Sequence, residues 1–255
     1  MKTIKNFIFY LFCLFQVNVS AQWNLYNPQP TEKTIYDVFF NDSLHGWAVG
    51  EDGIILQSDG ENWSMDDSPT LKVLRTVYFI DSDHGWAAGH GGTILKYENQ
   101  TWSVQNSNTF KDIYDLWFTD DSNGWAVGYN GLILHYDGID WSVEDCPTNH
   151  TLRSVCFTDP DHGWAVGTEG IILKYANNSW ELIPSVTTKG LKSVSFVDES
   201  NGWAVGDQGI ILCYNGEFWS IQNNPTSYYL MSVHFLNDKN GWAAGFGVLL
   251  HYDGN

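Results

Sequence analysis

The sequence predicts an all-β protein, a closed six-bladed β-propeller of four-stranded blades whose last blade is completed by the N-terminal strand. Three observations carry this. The phrase Gly-Trp-Ala-Val/Ala-Gly recurs at Trp47, Trp86, Trp125, Trp164, Trp203 and Trp242, every step being 39 residues. A fixed period of that length marks a row of supersecondary units, none of which buries its apolar face without its neighbours. A second tryptophan, Trp63, Trp102, Trp141, Trp180 or Trp219, follows 16 residues after the first in every unit but the sixth. The missing piece stands at the other end of the chain, where Gln22-Trp23-Asn24-Leu25-Tyr26-Asn27-Pro28 reads like Asn62-Trp63-Ser64-Met65-Asp66-Asp67-Ser68-Pro69. Joining the ends puts Trp23 15 residues after Trp242, and the shortfall of one matches the shortened hairpin Gly245-Phe246-Gly247. Closure of this kind leaves only short, protected strand edges.

Residues 1–21 read as a cleavable signal peptide: Lys2 and Lys5 precede an apolar run over 7–15, and Val19-Ser20-Ala21 offers the small residues of a cut after Ala21. The run is too short to span a membrane comfortably, and no span is expected in the mature chain. Cleavage leaves 234 of the 255 residues, six times 39, so residues 22–255 form the propeller. The formal net charge of −18 becomes −20 without the two leader lysines. That acidity excludes nucleic acid and anionic lipid as partners and fits a secreted or periplasmic protein. Cys146, Cys156 and Cys213 sit at unrelated repeat positions and make no disulfide framework. No Cys-x-x-Cys or His-x-x-x-His spacing occurs, so no metal site or cofactor is expected.

Within a unit, alternating apolar residues mark four strands. In the second these are 74–79, 85–89, 93–97 and 101–104. The joint between strands one and two ends in His45, His84, Asn123, His162, Asn201 or Asn240, each before a glycine. Such residues tolerate positive φ, which is expected of them here. The joint between strands two and three is expected to be a two-residue hairpin framed by glycine pairs such as Gly50/Gly53 and Gly128/Gly131. Pro69, Pro147 and Pro225 fall between blades, where a lost backbone donor does no harm.

The joint between strands three and four, Gln57-Ser58-Asp59-Gly60-Glu61-Asn62-Trp63, resembles an Asp-box (BNR repeat) turn. With Gly-Trp-Ala-Val-Gly-x-x-Gly-x-Ile-Leu before it, the unit is similar to the repeat of the photosystem II assembly-factor-like propellers, which include many exported bacterial proteins. The resemblance covers the whole mature chain and implies the blade rather than a ligand. The Asp is missing at Glu98-Asn99-Gln100-Thr101-Trp102 and Ala176-Asn177-Asn178-Ser179-Trp180, so other contacts must hold those turns. A weaker likeness is to the tectonin-type lectins, whose repeats also centre on Trp-Ala-Val.

The second tryptophan of each internal blade stands 23 residues before the next Gly-Trp-Ala tryptophan, so no blade carries a catalytic insertion. A sialidase needs three arginines to clamp a carboxylate, and the mature chain has only Arg75 and Arg153. No enzyme and no catalytic residue is expected. The six Gly-Trp-Ala tryptophans are read as structural, because inter-blade packing recurs in every blade. Trp117 lies outside both tryptophan series and is a candidate for a specific contact. Asp42, Asp81, Asp83, Asp120, Asp121, Asp159, Asp161, Asp198, Glu199 and Asp238 gather on one face, read as turn chemistry with weak divalent-ion binding as the alternative.

Blade-specific function must come from positions that differ between copies on a shared surface. At the start of strand one stand Tyr36, Arg75, Tyr114, Arg153, Lys192 and Met231, 39 apart, joined further out by the hairpin-tip residues His90, Tyr129 and Phe246. A cationic mouth on an acidic chain would orient an acidic partner, although Asp37, Asp115 and loop carboxylates could neutralise it. The expected function is therefore a secreted, monomeric, non-catalytic propeller binding another macromolecule as an assembly or adhesion scaffold. A lectin-like glycan binder is the alternative, and an Asp-box glycoside hydrolase comes third.

Overall fold

The computed structural model describes residues 30–254. Six antiparallel blades stand in a ring, at residues 35–66, 74–105, 113–143, 152–183, 191–221 and 230–252. In the first five the four strands follow one another in chain order from the channel outward, and the sixth has three among the described residues. The expected leader and the expected closing strand around Trp23 lie outside the described residues. The only helical turns among the described residues are four short 3-10 turns in the hairpins between strands two and three.

Each blade is held to the next by the residues that repeat. Trp47 stacks on Phe79 of blade 2 at 3.5 Å, Trp86 on Phe118 at 3.8 Å, Trp125 on Phe157 at 5.1 Å, Trp164 on Phe196 at 5.1 Å and Trp203 on Phe235 at 3.6 Å. A third-strand tyrosine and a fourth-strand tryptophan finish the first four of these clusters, as Tyr97 and Trp102 do around Trp47 and Phe79. Large aromatic areas leave water together in this way, which ties neighbouring blades far more strongly than loops could. The sixth Trp departs from the set. Trp242 is 44% exposed, and Val38 and Phe40, the blade 1 equivalents of the Val77 and Phe79 that pack with Trp47, are about half exposed as well.

Two turns differ from expectation. His45, His84, Asn123, His162, Asn201 and Asn240 have no positive φ. Several instead reach back to an aspartate three residues earlier, His84 Nδ1 lying 2.9 Å from Asp81 and Asn201 Nδ2 3.0 Å from Asp198. That aspartate also accepts the turn's backbone N–H groups. The side chain closes the loop, so the backbone has no need of a left-handed residue. The joint between strands two and three is also longer than a two-residue hairpin. In blade 1 Gly50 N–H donates to Ile54 O and Ile54 N–H to Glu51 O, with Asp52 and Gly53 left-handed at φ of 54° and 71°. The two-residue turns occur one joint later, where the Asp is missing. Asn99-Gln100 and Asn177-Asn178 are left-handed at both central positions, joining Glu98 to Thr101 and Ala176 to Ser179, as the twist of a hairpin favours.

Candidate functional site

The first strands of all six blades line one channel of about 420 Å³. Their side chains at one level change round the ring: Phe39, Tyr78 and Trp117 form an arc with ring centroids 5.1 and 5.4 Å apart, and Cys156, Ser195 and His234 follow. Trp117 thus belongs to the channel wall and packs on the cores of its neighbours.

One residue before this level's neighbour, a side chain stitches blade to blade. Asp37 accepts the backbone N–H of Val77 and Asp115 that of Val155, both at 2.9 Å. The hydroxyls of Ser154 and Ser193 accept those of Val194 and Val233 in the same sense. Burial pushes the carboxyls up, Asp37 to about 6 and Asp115 to about 7, against the lowering effect of those N–H bonds. They are therefore committed to the backbone and do not pair with the arginines.

At the mouth the arginines lie over tyrosines of the preceding blade. The Arg75 guanidinium sits 4.3 Å from the centre of the Tyr36 ring, and that of Arg153 4.4 Å from Tyr114. The two dipeptides Tyr36-Asp37 and Tyr114-Asp115 thus face Arg75-Thr76 and Arg153-Ser154, a pattern with a period of two blades. The third pair of blades breaks it, carrying Lys192 and Met231 instead. Arg75 is also tied to His90, Nε and Nη2 lying 3.1 and 3.0 Å from His90 Nε2, which accepts and so leaves the ring proton on Nδ1. Lys192 pairs with Asp207 at 3.0 Å. Among the described residues, Arg153 has the tyrosine alone, and its Nε is buried without a hydrogen-bond partner.

Beside Arg153, an open pocket of 570 Å³ is lined by Phe110, Lys111, Asp112, Tyr114 and Tyr129, with Phe110 almost fully exposed. The structure therefore groups Tyr36 with Arg75 and His90, and Tyr114 with Arg153 and Tyr129. Phe246 stands apart, against Tyr229 at 6.2 Å. Sequence reasoning missed Phe110 and a ring of lysines, although the signal was present: Thr-x-Lys recurs at Lys33, Lys72, Lys111 and Lys189 on the 39-residue step or its multiple. Seven of the ten Lys and Arg residues from 30 to 254 lie on this face: those four with Arg75, Arg153 and Lys192. Among the described residues the opposite face has only Lys239, against the ten acidic residues of the first turns and seven more, Asp59, Glu61, Glu98, Asp137, Asp140, Glu217 and Asp253. There Asp159, His162 and Glu199 bring ligand atoms within 4.8 Å of one another. The Asp159–His162 contact is the turn's own, since His45–Asp42 and His84–Asp81 repeat it.

No family model matches the chain, and no curated protein matches it either. Solved structures do. A structure of YCF48 bound to D1 peptide superposes with a TM-score of 0.71 at 20% identity, covering 88% of this chain and 79% of that one. YCF48 from Cyanidioschyzon merolae gives 0.59 at 17%, covering 88% and 97%. The WD40 repeats of RRP9 give 0.69 at only 11%, covering 85% and 75%. At such identities the likeness is one of fold, and the fold shared by all three is the β-propeller.

Proposed function

We propose that the chain is an exported, non-catalytic propeller that binds an acidic segment of another protein at the ring mouth, where Arg75 and Arg153 lie on Tyr36 and Tyr114. The observation that carries this reading is Arg153, 4.4 Å from the Tyr114 ring and lacking, among the described residues, the polar partner that Arg75 finds in His90 and Lys192 in Asp207. A guanidinium already immobilised on an aromatic face has lost rotamer freedom and part of its water, so a carboxylate gains more from meeting it. Seven of the ten Lys and Arg residues from 30 to 254 lie on this face, which makes it the less acidic of the two and the one where an acidic partner is repelled less. The neighbour YCF48, seen with a D1 peptide, and the WD40 neighbour support protein binding. The likeness to the exported, Asp-box-bearing photosystem II assembly-factor-like repeats supports export, with Gln22 as the mature first residue and a monomeric ring. With two arginines and its channel carboxylates engaged by backbone N–H groups, the mouth favours binding over hydrolysis.

The double change Arg75→Ala with Arg153→Ala tests this in pull-downs from an envelope extract. Capture should weaken by roughly 2 kcal/mol, about thirtyfold in affinity, and wild-type capture should fall with added salt. Capture that survives both changes overturns the reading. A glycan-binding reading is favoured by one feature, the aromatic pocket of Phe110, Tyr114 and Tyr129. A glycan array hit lost in Tyr129→Ala, with protein capture intact, would support it.

A further inference from the structure

We propose that the central channel binds a small organic ammonium cation, its methyl groups against the aromatic arc of Phe39, Tyr78 and Trp117 and its charge beside the carboxyls of Asp37 and Asp115. The inference is independent of what the mouth binds. The first strand of each blade runs from the mouth toward the acidic face, and along it Asp37 is followed two residues on by Phe39 and Asp115 by Trp117. Alternate residues of a strand share a face, so each carboxyl stands about 7 Å along the strand from the ring beyond it. Both levels line one channel of about 420 Å³, a size common among small-molecule sites.

The channel holds negative charge with nothing to balance it. Among the described residues no lysine or arginine lines it. Arg75 is taken up by Tyr36 and His90, Arg153 by Tyr114, and Lys192 by Asp207. Burial first, and then the charge of Asp37, push the Asp115 carboxyl up to about 7, so the pair is short of full ionisation at neutral pH. Each carboxylate accepts two backbone N–H groups, Asp37 those of Val38 and Val77 and Asp115 those of Leu116 and Val155. These donors fix the oxygens in place but bring no full charge. A quaternary ammonium brings the charge and has no N–H that needs an acceptor, so it does not compete with the backbone for those oxygens.

The arc supplies the other half of the site, and it falls on the same side of the ring. Blades 1 to 3 carry both carboxyls and all three large rings, whereas blades 4 and 5 have Ser154 and Ser193 at the first level and Cys156 and Ser195 at the second. Phe39, Tyr78 and Trp117 are half-buried, and their successive planes are 44° and 51° apart, so they turn around the channel instead of lying in one stack. A cation over such faces is attracted by the ring quadrupoles, more strongly where water is scarce. A hard metal ion would seek oxygen ligands and gain nothing from the rings; a methylated ammonium gains from both levels. The acidic face draws cations to its end of the channel, and a ligand arriving from there meets the arc first and the carboxyls beyond it. The other titratable groups of the lining are Tyr78 and Cys156, each pushed up to about 12 by burial and hence neutral, and His234.

The test titrates the full chain by calorimetry at pH 7 with choline and with dimethylbutanol, its isostere with carbon in place of the charged nitrogen. Choline should bind at least tenfold more tightly than the alcohol. It should also release protons, because a cation favours the ionised carboxyls, and the release is read from the heats in two buffers of different ionisation enthalpy. Asp115→Asn keeps an amide oxygen for the Val155 N–H; there choline affinity should fall at least tenfold and the release should shrink, while the release persists in His234→Gln. Trp117→Leu should weaken choline at least tenfold as well. No choline binding at millimolar concentration, equal binding of the two probes, or affinity unchanged in both Asp115→Asn and Trp117→Leu overturns the proposal. Calcium chloride is the last arm: calcium that excludes choline and binds equally well in Trp117→Leu assigns the carboxyls to a metal ion and overturns it too. Where a variant loses its melting transition, the two probes on the wild-type chain decide.

Discussion

Asp115 sits between two demands, accepting the Val155 N–H at 2.9 Å while lining the same channel as Asp37. Burial raises its carboxyl to about 7 and that of Asp37 to about 6, well above the ordinary carboxylate value of 3.8. The folded state therefore holds protons that the unfolded chain has released between pH 4 and 7, so stability falls as pH rises through that window and levels off above it. Asp115, raised further than Asp37, carries the larger share of that decline. Thermal melts from pH 4 to 8 should show the decline, and Asp115→Asn should flatten much of it; an unchanged slope would remove Asp115 as its source. Trp125 makes the contrasting case, an apolar residue whose role is indifferent to pH. It is 2% exposed, stacked on Phe157 and His135 and edge-on to Trp180. Trp125→Ala should cost about 3 to 5 kcal/mol in denaturant titration. Its burial could be read from recurrence alone, whereas the stacking of Arg153 on Tyr114 could not, because strand spacing carries no information on how a long side chain folds across to the next blade.

At the level of the hairpin, the glycines were legible and their geometry was not. Gly131 has φ of 66°, and a Cβ there would overlap the Thr148 carbonyl oxygen of the loop leading into the next blade. Gly131→Ala should therefore cost about 2 kcal/mol, from left-handed strain and the collision together, seen as a lowered melting temperature. A neutral result would mean that the inter-blade loop yields. The same glycine looked from sequence like one end of a two-residue turn. What spacing alone cannot reveal is that the loop from one blade rests on the hairpin of the one before, so the tip is shaped by a partner 17 residues away. The histidines and asparagines before Gly-Trp-Ala misled for a related reason: their side chains, not their backbones, satisfy the turn through Asp42, Asp81, Asp159 and Asp198.

The whole ring was legible because a 39-residue period with six copies leaves few architectures, and the structural neighbours share the propeller fold at 11 to 20% identity. The polarity of the disc was only half legible. The acidic face followed from turn composition, but the lysines that make the other face less acidic are spread over four loops and converge only when the blades are set side by side. The pairing of Tyr36 with Arg75 and Tyr114 with Arg153 has a further consequence. Blades repeat six times, yet these pairs repeat only on alternate blades and vanish at Lys192 and Met231. Turning the ring by one blade brings an arginine to where a tyrosine was, and turning it by two brings a like pair into place only once. Facing alone does not seat a partner that uses both pairs; it must also find its azimuth, so that a symmetric scaffold presents a single bearing.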